Sequence, residues 1–326
     1  MKLELNGFET RYRKTMGNLG LTMCLFLVLF YGSSLILGSV SIFFLFFPIS
    51  EIWYNTVSDL LYGAFYLLAF MLPVLLFKKK MQSAGIRYRS MYAQPKISPY
   101  LPMMLFAVIF LIRTASYLNA GWSSIFDDSQ SMDSWYDSEM QPYQIIIEFI
   151  ITCVVPGFCE EFLFRGAILT NCLPFGRTKA ILISSILFAI MHANPAQLFY
   201  TFVAGVLFGI IYEKTGSIWN CVILHIFNNF FSLIDDVLFA NFYEYSMLIS
   251  TVIEGVISIL GILSIVFLCV RFFSKKQDLS DGFYQKELPA SDSYAVCPIA
   301  ASRACSLFFA PTMLAFLVAS ILTIII

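Results

Sequence analysis

Of the 326 residues in this chain, 59% are hydrophobic and 13% are charged, and the formal net charge is −1. This composition is far more apolar than that of a soluble domain. The sequence has no basic patch interleaved with aromatic residues, so nucleic acid is not expected as a partner. The eight cysteines form no C-x-x-C pair, so neither a disulfide framework nor a cysteine zinc site is indicated. The composition predicts an all-α protein that crosses a membrane many times.

Apolar runs that suit transmembrane helices recur along the chain. The first follows a polar N-terminal stretch and is too long for a signal-peptide core. Nine runs are predicted, near residues 19–47, 57–77, 100–118, 143–173, 178–192, 196–212, 217–238, 246–270 and 304–326. No chain follows the last run to test where it leaves the membrane, so eight or nine transmembrane helices are expected.

Basic residues alternate between the loops that these runs define. Lys and Arg occur before the first helix and after helices two, four, six and eight, and are absent from the loops between. By the positive-inside rule, the N-terminus is expected in the cytoplasm and the acidic loop 119–142 outside. Arg113 and Arg165 lie inside helices, and Arg113 is expected near the outer face or paired with Glu254.

Three ionisable residues lie together in the fourth apolar run, in the sequence PGFCEEFLFRG: Glu160, Glu161 and Arg165. Such groups are costly in a bilayer and indicate function. Glu161 and Arg165 are four residues apart, so they share a helical face and are expected to pair. Glu160 is turned by about 100° around the helix and stays available for chemistry.

Both histidines of the chain lie beside apolar segments. His192 ends the sequence FAIMH, and His225 begins HIFNN, in which Asn229 follows one turn later. A lone polar residue in a membrane helix often only joins helices, but the set suits water activation. Glu160 can act as general base, His192 can orient the water, and His225 and Asn229 can donate hydrogen bonds to an oxyanion.

The predicted helix boundaries place the histidines at different heights. At a rise of 1.5 Å per residue, His192 lies roughly 21 Å above the cytoplasmic end of its helix, and His225 lies roughly 12 Å above the start of its own. We therefore expect the fifth helix to be tilted or to begin deeper in the membrane.

The spacing of Gly205 and Gly209, G-x-x-x-G, predicts close helix packing.

The three motifs EEFLFR, FAIMH and HIFNN resemble the signatures of the CPBP family, also called Abi. This is the CAAX prenyl protease and bacteriocin-processing family of intramembrane endopeptidases, which includes CAAX prenyl protease 2 and proteins like lysostaphin resistance protein A. The connecting sequence LFYTFVAGVLFGIIYEKTGSIW is also similar to the family's. The resemblance covers roughly residues 143–240, about a third of the chain.

The resemblance implies a complete catalytic set: Glu160, Glu161, Arg165, His192, His225 and Asn229. In that set the first glutamate and the first histidine activate water, the arginine orients the glutamates, and the second histidine and the asparagine form the oxyanion hole. The family was long described as metalloproteases, and Glu160, His192 and His225 are a conceivable zinc set with one open position. However, H-E-x-x-H is absent, and a glutamate needs no metal to activate water, so a glutamic endopeptidase without a cofactor is favoured.

The sequence thus predicts a catalytic core at 143–240, three preceding helices with an acidic outer loop at 1–142, and final helices with a flexible polar stretch (274–303) at 241–326. The expected reaction is hydrolysis of a membrane-associated peptide or protein, in CAAX-type processing, bacteriocin or leader-peptide processing, or self-immunity. A bacterial plasma membrane is the expected location. The alternatives are a non-catalytic immunity or scaffold protein and a proton-coupled transporter.

Overall fold

In a computed structural model, the protein is described at residues 2–47, 50–90, 97–123, 140–275 and 308–325. Every regular element within these ranges is a helix, which confirms the all-α prediction. The predicted flexible stretch at 274–303 lies outside these ranges apart from its first two residues. Most of the acidic loop, residues 124–139, also lies outside them.

Nine helices occur in the described ranges: α1 (Lys2–Phe46), α2 (Glu51–Ser83), α3 (Leu101–Ser123), α4 (residues 142–175), α5 (Arg177–Met191), α6 (Pro195–Thr215), α7 (Ile218–Asn241), α8 (Tyr243–Lys275) and α9 (Pro311–Ile325). The ends of α5 to α7 lie within about three residues of the predicted ones. By contrast, α1 begins 17 residues before its predicted start at residue 19. A polar stretch marks where a helix leaves the apolar layer, but it does not end the helix.

Six of these helices are long and apolar enough to cross a membrane: α1, α2, α3, α6, α7 and α8. The protein is therefore an integral membrane protein with several spans. Membrane crossing by α4, α5 and α9 stays a prediction. The last of these packs on α1, where the Thr312 hydroxyl donates to the Gly17 carbonyl at 2.6 Å.

Helix α4 is continuous but irregular. Its α-helical turns (Val155–Glu161 among them) alternate with two π-helical segments, Phe149–Val154 and Phe162–Leu169. Pro156 has no N–H, so the usual hydrogen bond to the carbonyl of Thr152, four residues earlier, cannot form. Wide turns of this kind are frequent at functional sites, and here they flank the two glutamates.

Glycines let the helices around these glutamates approach closely. A Cβ on Gly157 of α4 would lie 2.6 Å from Cγ1 of Ile226 in α7. A Cβ on Gly205 of α6 would lie 2.9 Å from Cα of Ser185 in α5. Both distances are too short for real carbon atoms, so glycine is required at each crossing. The predicted packing role of the G-x-x-x-G spacing is confirmed at Gly205.

A second ion-pair cluster joins α3, α7 and α8. Arg113 donates hydrogen bonds to Glu254 and, at 2.9 Å, to Asp235. It also donates to the Phe231 carbonyl at 3.1 Å. The expected pairing of Arg113 with Glu254 is confirmed, and Asp235 is an additional partner. Since intramembrane charges need partners, this cluster fixes the three helices side by side.

Candidate active site

Glu161 and Arg165 form the predicted ion pair in the centre of the helix bundle. Both are fully buried, and Nη1 of Arg165 donates to Oε1 of Glu161 at 2.9 Å. The guanidinium also donates to the Gly205 carbonyl at 3.2 Å, and it lies over the rings of Phe188 and Phe208, at 4.6 and 5.2 Å. The arginine is therefore fixed from three helices and holds Glu161 in one position.

Glu160 faces a different set of partners, as its angular offset from Glu161 predicts. The residue is 4% exposed. Its Oε1 accepts a hydrogen bond from the hydroxyl of Tyr66 in α2. Its Oε2 is buried and has no hydrogen-bond partner among the described residues. One carboxylate oxygen is thus held in place, and the other is available to a water or a substrate.

His225 lies between the two glutamates. Its Nδ1 lies 2.8 Å from Oε1 of Glu161, and its Nε2 lies 3.8 Å from Oε2 of Glu160. Since a carboxylate oxygen only accepts hydrogen bonds, Nδ1 carries the proton in that contact. The ring is stacked on Phe208 at 5.4 Å. Glu161 therefore fixes the orientation of the imidazole and directs Nε2 towards Glu160.

His192 reaches the same region from the end of α5. Its Nδ1 donates to the Phe188 carbonyl at 2.8 Å. The Phe188 ring lies 5.1 Å from the ring of His192 and 6.1 Å from that of His225. His192 is also close enough to Glu160 to interact with it electrostatically. Both histidines therefore contact the ring of Phe188 although α5 and α7 begin almost where predicted. The expected tilt or deeper start of α5 stays a prediction.

Asn229 is placed differently from the other predicted residues. Its Nδ2 donates to the Thr152 carbonyl of α4 at 3.0 Å, next to the turn that Pro156 disturbs. Its Oδ1 accepts a hydrogen bond from Asn228 at 3.3 Å. It also lines a cavity of about 160 Å³ between α4 and α7. The structure thus gathers five of the six predicted residues and places Asn229 one helical turn away.

The sequence did not reveal Tyr66 of α2, whose hydroxyl donates a hydrogen bond to Glu160. Nor did it reveal that Phe188 and Phe208 enclose Arg165 and His225. Phe188 is the first residue of the FAIMH motif, but the motif alone did not indicate that its ring contacts Arg165 and His225. Tyr66 carried none, because a tyrosine in an apolar helix is ordinary.

The zinc alternative requires Glu160, His192 and His225 to converge on one point. Among the described residues, no three or more His, Cys, Asp or Glu side chains are arranged to hold a metal ion. Each histidine uses Nδ1 for a protein contact, which leaves Nε2 available and is also the usual arrangement of metal-binding histidines. A reaction without a metal ion therefore stays a prediction.

Residues 142–231 match the family model of type II CAAX prenyl endopeptidases, described as Rce1-like. The matched segment contains all six predicted site residues, and it confirms the resemblance found in the motifs. No curated protein and no solved structure matches the chain. Together with the long apolar helices, the match supports a CAAX-type intramembrane protease in general terms.

Proposed function

We propose that the protein is an intramembrane endopeptidase that cleaves a membrane-associated peptide or protein with water activated by Glu160. The observation that carries the proposal is the free oxygen of this residue. Oε2 is buried without a partner among the described residues and faces Nε2 of His225 across 3.8 Å. Oε2 of Glu161 also has no hydrogen-bond partner there, but Oε1 of Glu161 is held by both Arg165 and His225. Glu160 is therefore the carboxylate better placed to take a proton.

In the proposed first step, Glu160 takes a proton from water through Oε2 as the water oxygen attacks the carbonyl carbon of the substrate. His192, whose Nδ1 is bonded to the Phe188 carbonyl, presents its other ring nitrogen to orient that water. The carbonyl oxygen becomes an oxyanion in a tetrahedral intermediate. Glu160 then gives its proton to the leaving amine as the C–N bond breaks, which regenerates the carboxylate.

His225 is the proposed oxyanion donor. Its Nδ1 proton goes to Glu161, so a protonated ring presents Nε2–H on the side of Glu160. With a protonated His225, the two carboxylates are balanced by one guanidinium and one imidazolium, and a buried group of charges favours such balance. Glu161 and Arg165 thus act through His225 and do not contact the substrate.

Asn229 keeps its predicted role as a second oxyanion donor within this proposal. An amide group has two N–H bonds. One is donated to the Thr152 carbonyl, which anchors the side chain, and the other is left for the intermediate.

The substrate class follows from the position of the site. The reacting groups are buried among apolar helices, so a substrate has to reach them from the membrane or its cytoplasmic surface. The family match favours a CAAX-type substrate. Bacteriocin or leader-peptide processing, or self-immunity, is the other proposed use of the same chemistry.

The test is a comparison of wild type with Glu160→Gln, each expressed at equal level in cells that lack the gene. Loss of a general base lowers the rate by about 100- to 10,000-fold, so the termini of membrane-bound peptides should shift in the mutant as they do in the deletion. The control is Glu244→Gln, which changes an exposed carboxylate in α8. If Glu160→Gln behaves as wild type, the protein acts as a scaffold or immunity protein, and the proposal is wrong. Proton-coupled flux in vesicles would instead indicate a transporter.

A further inference from the structure

A second cavity, of about 310 Å³, shares no lining residue with the cluster around Glu160. It lies where α1, the end of α2 and the end of α4 meet. Three arginines line it: Arg11 from α1, and Arg87 and Arg89 from the connection between α2 and α3. No acidic residue is among the described residues that line it. Three positively charged side chains therefore line the cavity.

The connection that carries two of these arginines has a defined structure. Gly85 has φ of +72°, a left-handed conformation that ends α2 and suits glycine. The N–H of Ile86 then donates to the Met81 carbonyl at 2.9 Å. These contacts turn the chain back over the end of α2, so that Arg87 faces the cavity from a fixed turn.

Asn171 of α4 holds the connection at Arg89. It is 3% exposed, and its Oδ1 accepts the backbone N–H of Arg89 at 2.7 Å. Its Nδ2 donates to the Arg89 carbonyl at 3.1 Å and to the Ala167 carbonyl at 2.8 Å. The buried side chain of Asn171 thus holds the backbone of Arg89 against α4. The position of Arg89 at the cavity is therefore fixed before a ligand binds.

The wall of the cavity beside the arginines is apolar. Met81 and Phe175 line it and are buried, and Phe175 packs edge-on against Tyr12 of α1 at 4.9 Å. Guanidinium groups match the oxygens of a phosphate in a two-pronged geometry. A small, fully hydrated anion would use only the arginines, whereas a lipid headgroup would also cover the apolar wall.

The location agrees with such a ligand. Residues 1–18 carry four basic residues and residues 78–99 carry six, and both segments lie at the predicted cytoplasmic side. The cytoplasmic leaflet carries anionic lipids, and basic pockets between transmembrane helices bind their headgroups. We propose that this arginine cavity binds the phosphate group of an anionic phospholipid and thereby joins α1, the α2–α3 connection and α4.

The full-length protein, purified in detergent, is titrated with phosphatidylglycerol, phosphatidylcholine or inorganic phosphate, and bound lipid is counted by native mass spectrometry. Phosphatidylglycerol should bind, and the other two should not at the same concentrations. The double variant Arg11→Gln/Arg87→Gln should weaken phosphatidylglycerol binding by about 30-fold. Each arginine near anionic headgroups raises the affinity by about fivefold, and the two effects multiply. Both residues are exposed, so folding should be unchanged.

The matched control is Arg13→Gln/Lys79→Gln, which removes two exposed charges from α1 and α2 outside the cavity. Equal loss of lipid in this control would mean general attraction to the membrane and would overturn the proposal. Arginine-dependent binding of inorganic phosphate as tight as that of the lipid would also overturn it, as would failure of phosphatidylglycerol to bind. None of these outcomes depends on proteolysis, since Glu160 is intact in every variant.

Discussion

The substitution Tyr66→Phe tests how Glu160 is positioned. It removes the hydroxyl that donates to Oε1 of Glu160 and leaves the aromatic ring. That ring is stacked on Phe70 at 4.6 Å and meets the edge of Phe30 at 6.3 Å. Because phenylalanine keeps these contacts, the change is confined to one hydrogen bond.

The size of the effect follows from the kind of bond that is lost. A hydrogen bond to a charged group contributes about 1.5–3 kcal/mol. If Tyr66 holds Oε1 so that Oε2 points at the water, this energy is lost in the transition state, and kcat should fall roughly 10- to 100-fold. KM should stay within about twofold, a change of less than about 0.5 kcal/mol, because the hydroxyl is taken up by Glu160.

The assay uses purified protein in lipid vesicles and a fluorogenic prenylated CAAX peptide, with kcat and KM measured separately. Tyr31→Phe is the control, since Tyr31 of α1 meets the edge of the same Phe30 ring at 5.7 Å. A wild-type kcat for Tyr66→Phe would refute the positioning role. So would a change confined to KM, because the hydroxyl would then act on substrate binding.

Three further substitutions test the packing and the remaining contacts. Gly157→Ala should destabilise the protein by about 1–3 kcal/mol, because its Cβ would lie 2.6 Å from Cγ1 of Ile226. Gly255→Ala is the control and should change thermal unfolding little, because no atom lies within 4 Å of the added Cβ. Asn229→Leu should remove the donor to the α4 backbone and lower stability by about 1 kcal/mol; an unchanged kcat would show that it does not serve the oxyanion. Arg113→Gln should leave Asp235 and Glu254 without their ion pairs to this arginine and lower the unfolding temperature in detergent. An unchanged unfolding temperature would mean that the cluster does not hold the three helices together.

Much of the site was accessible from the sequence because its residues are unusual in their setting. Two glutamates and an arginine inside an apolar run are costly, and a spacing of four residues correctly predicts the pair of Glu161 and Arg165. The spacing also predicts that Glu160 faces elsewhere. Such inferences need only the geometry of one helix.

What the sequence did not reveal depends on contacts between distant helices. Tyr66 is 94 positions from Glu160 and lies outside the segment that matches the family. The contact of both His192 and His225 with Phe188 depends on how α5 and α7 are placed in the bundle, which a rise per residue does not give. The contact of Asn229 with Thr152 did have a local signal, because Pro156 disturbs the backbone of α4 at that carbonyl.

The charges of the core provide the last test, because Glu161 and His225 should be strongly coupled. Glu161→Gln removes the negative charge beside the imidazole, although the amide oxygen can still accept a hydrogen bond. His225→Gln leaves the two carboxylates with Arg165 to balance them. Each single change should therefore destabilise the protein, whereas the double variant removes one negative and one positive group together. The free energies of unfolding should deviate from additivity by about 0.5–3 kcal/mol, with the double variant more stable than the sum predicts. Additive effects in this double-mutant cycle would mean that His225 is neutral and bound only weakly by Glu161, and an imidazolium oxyanion donor would then have to be abandoned.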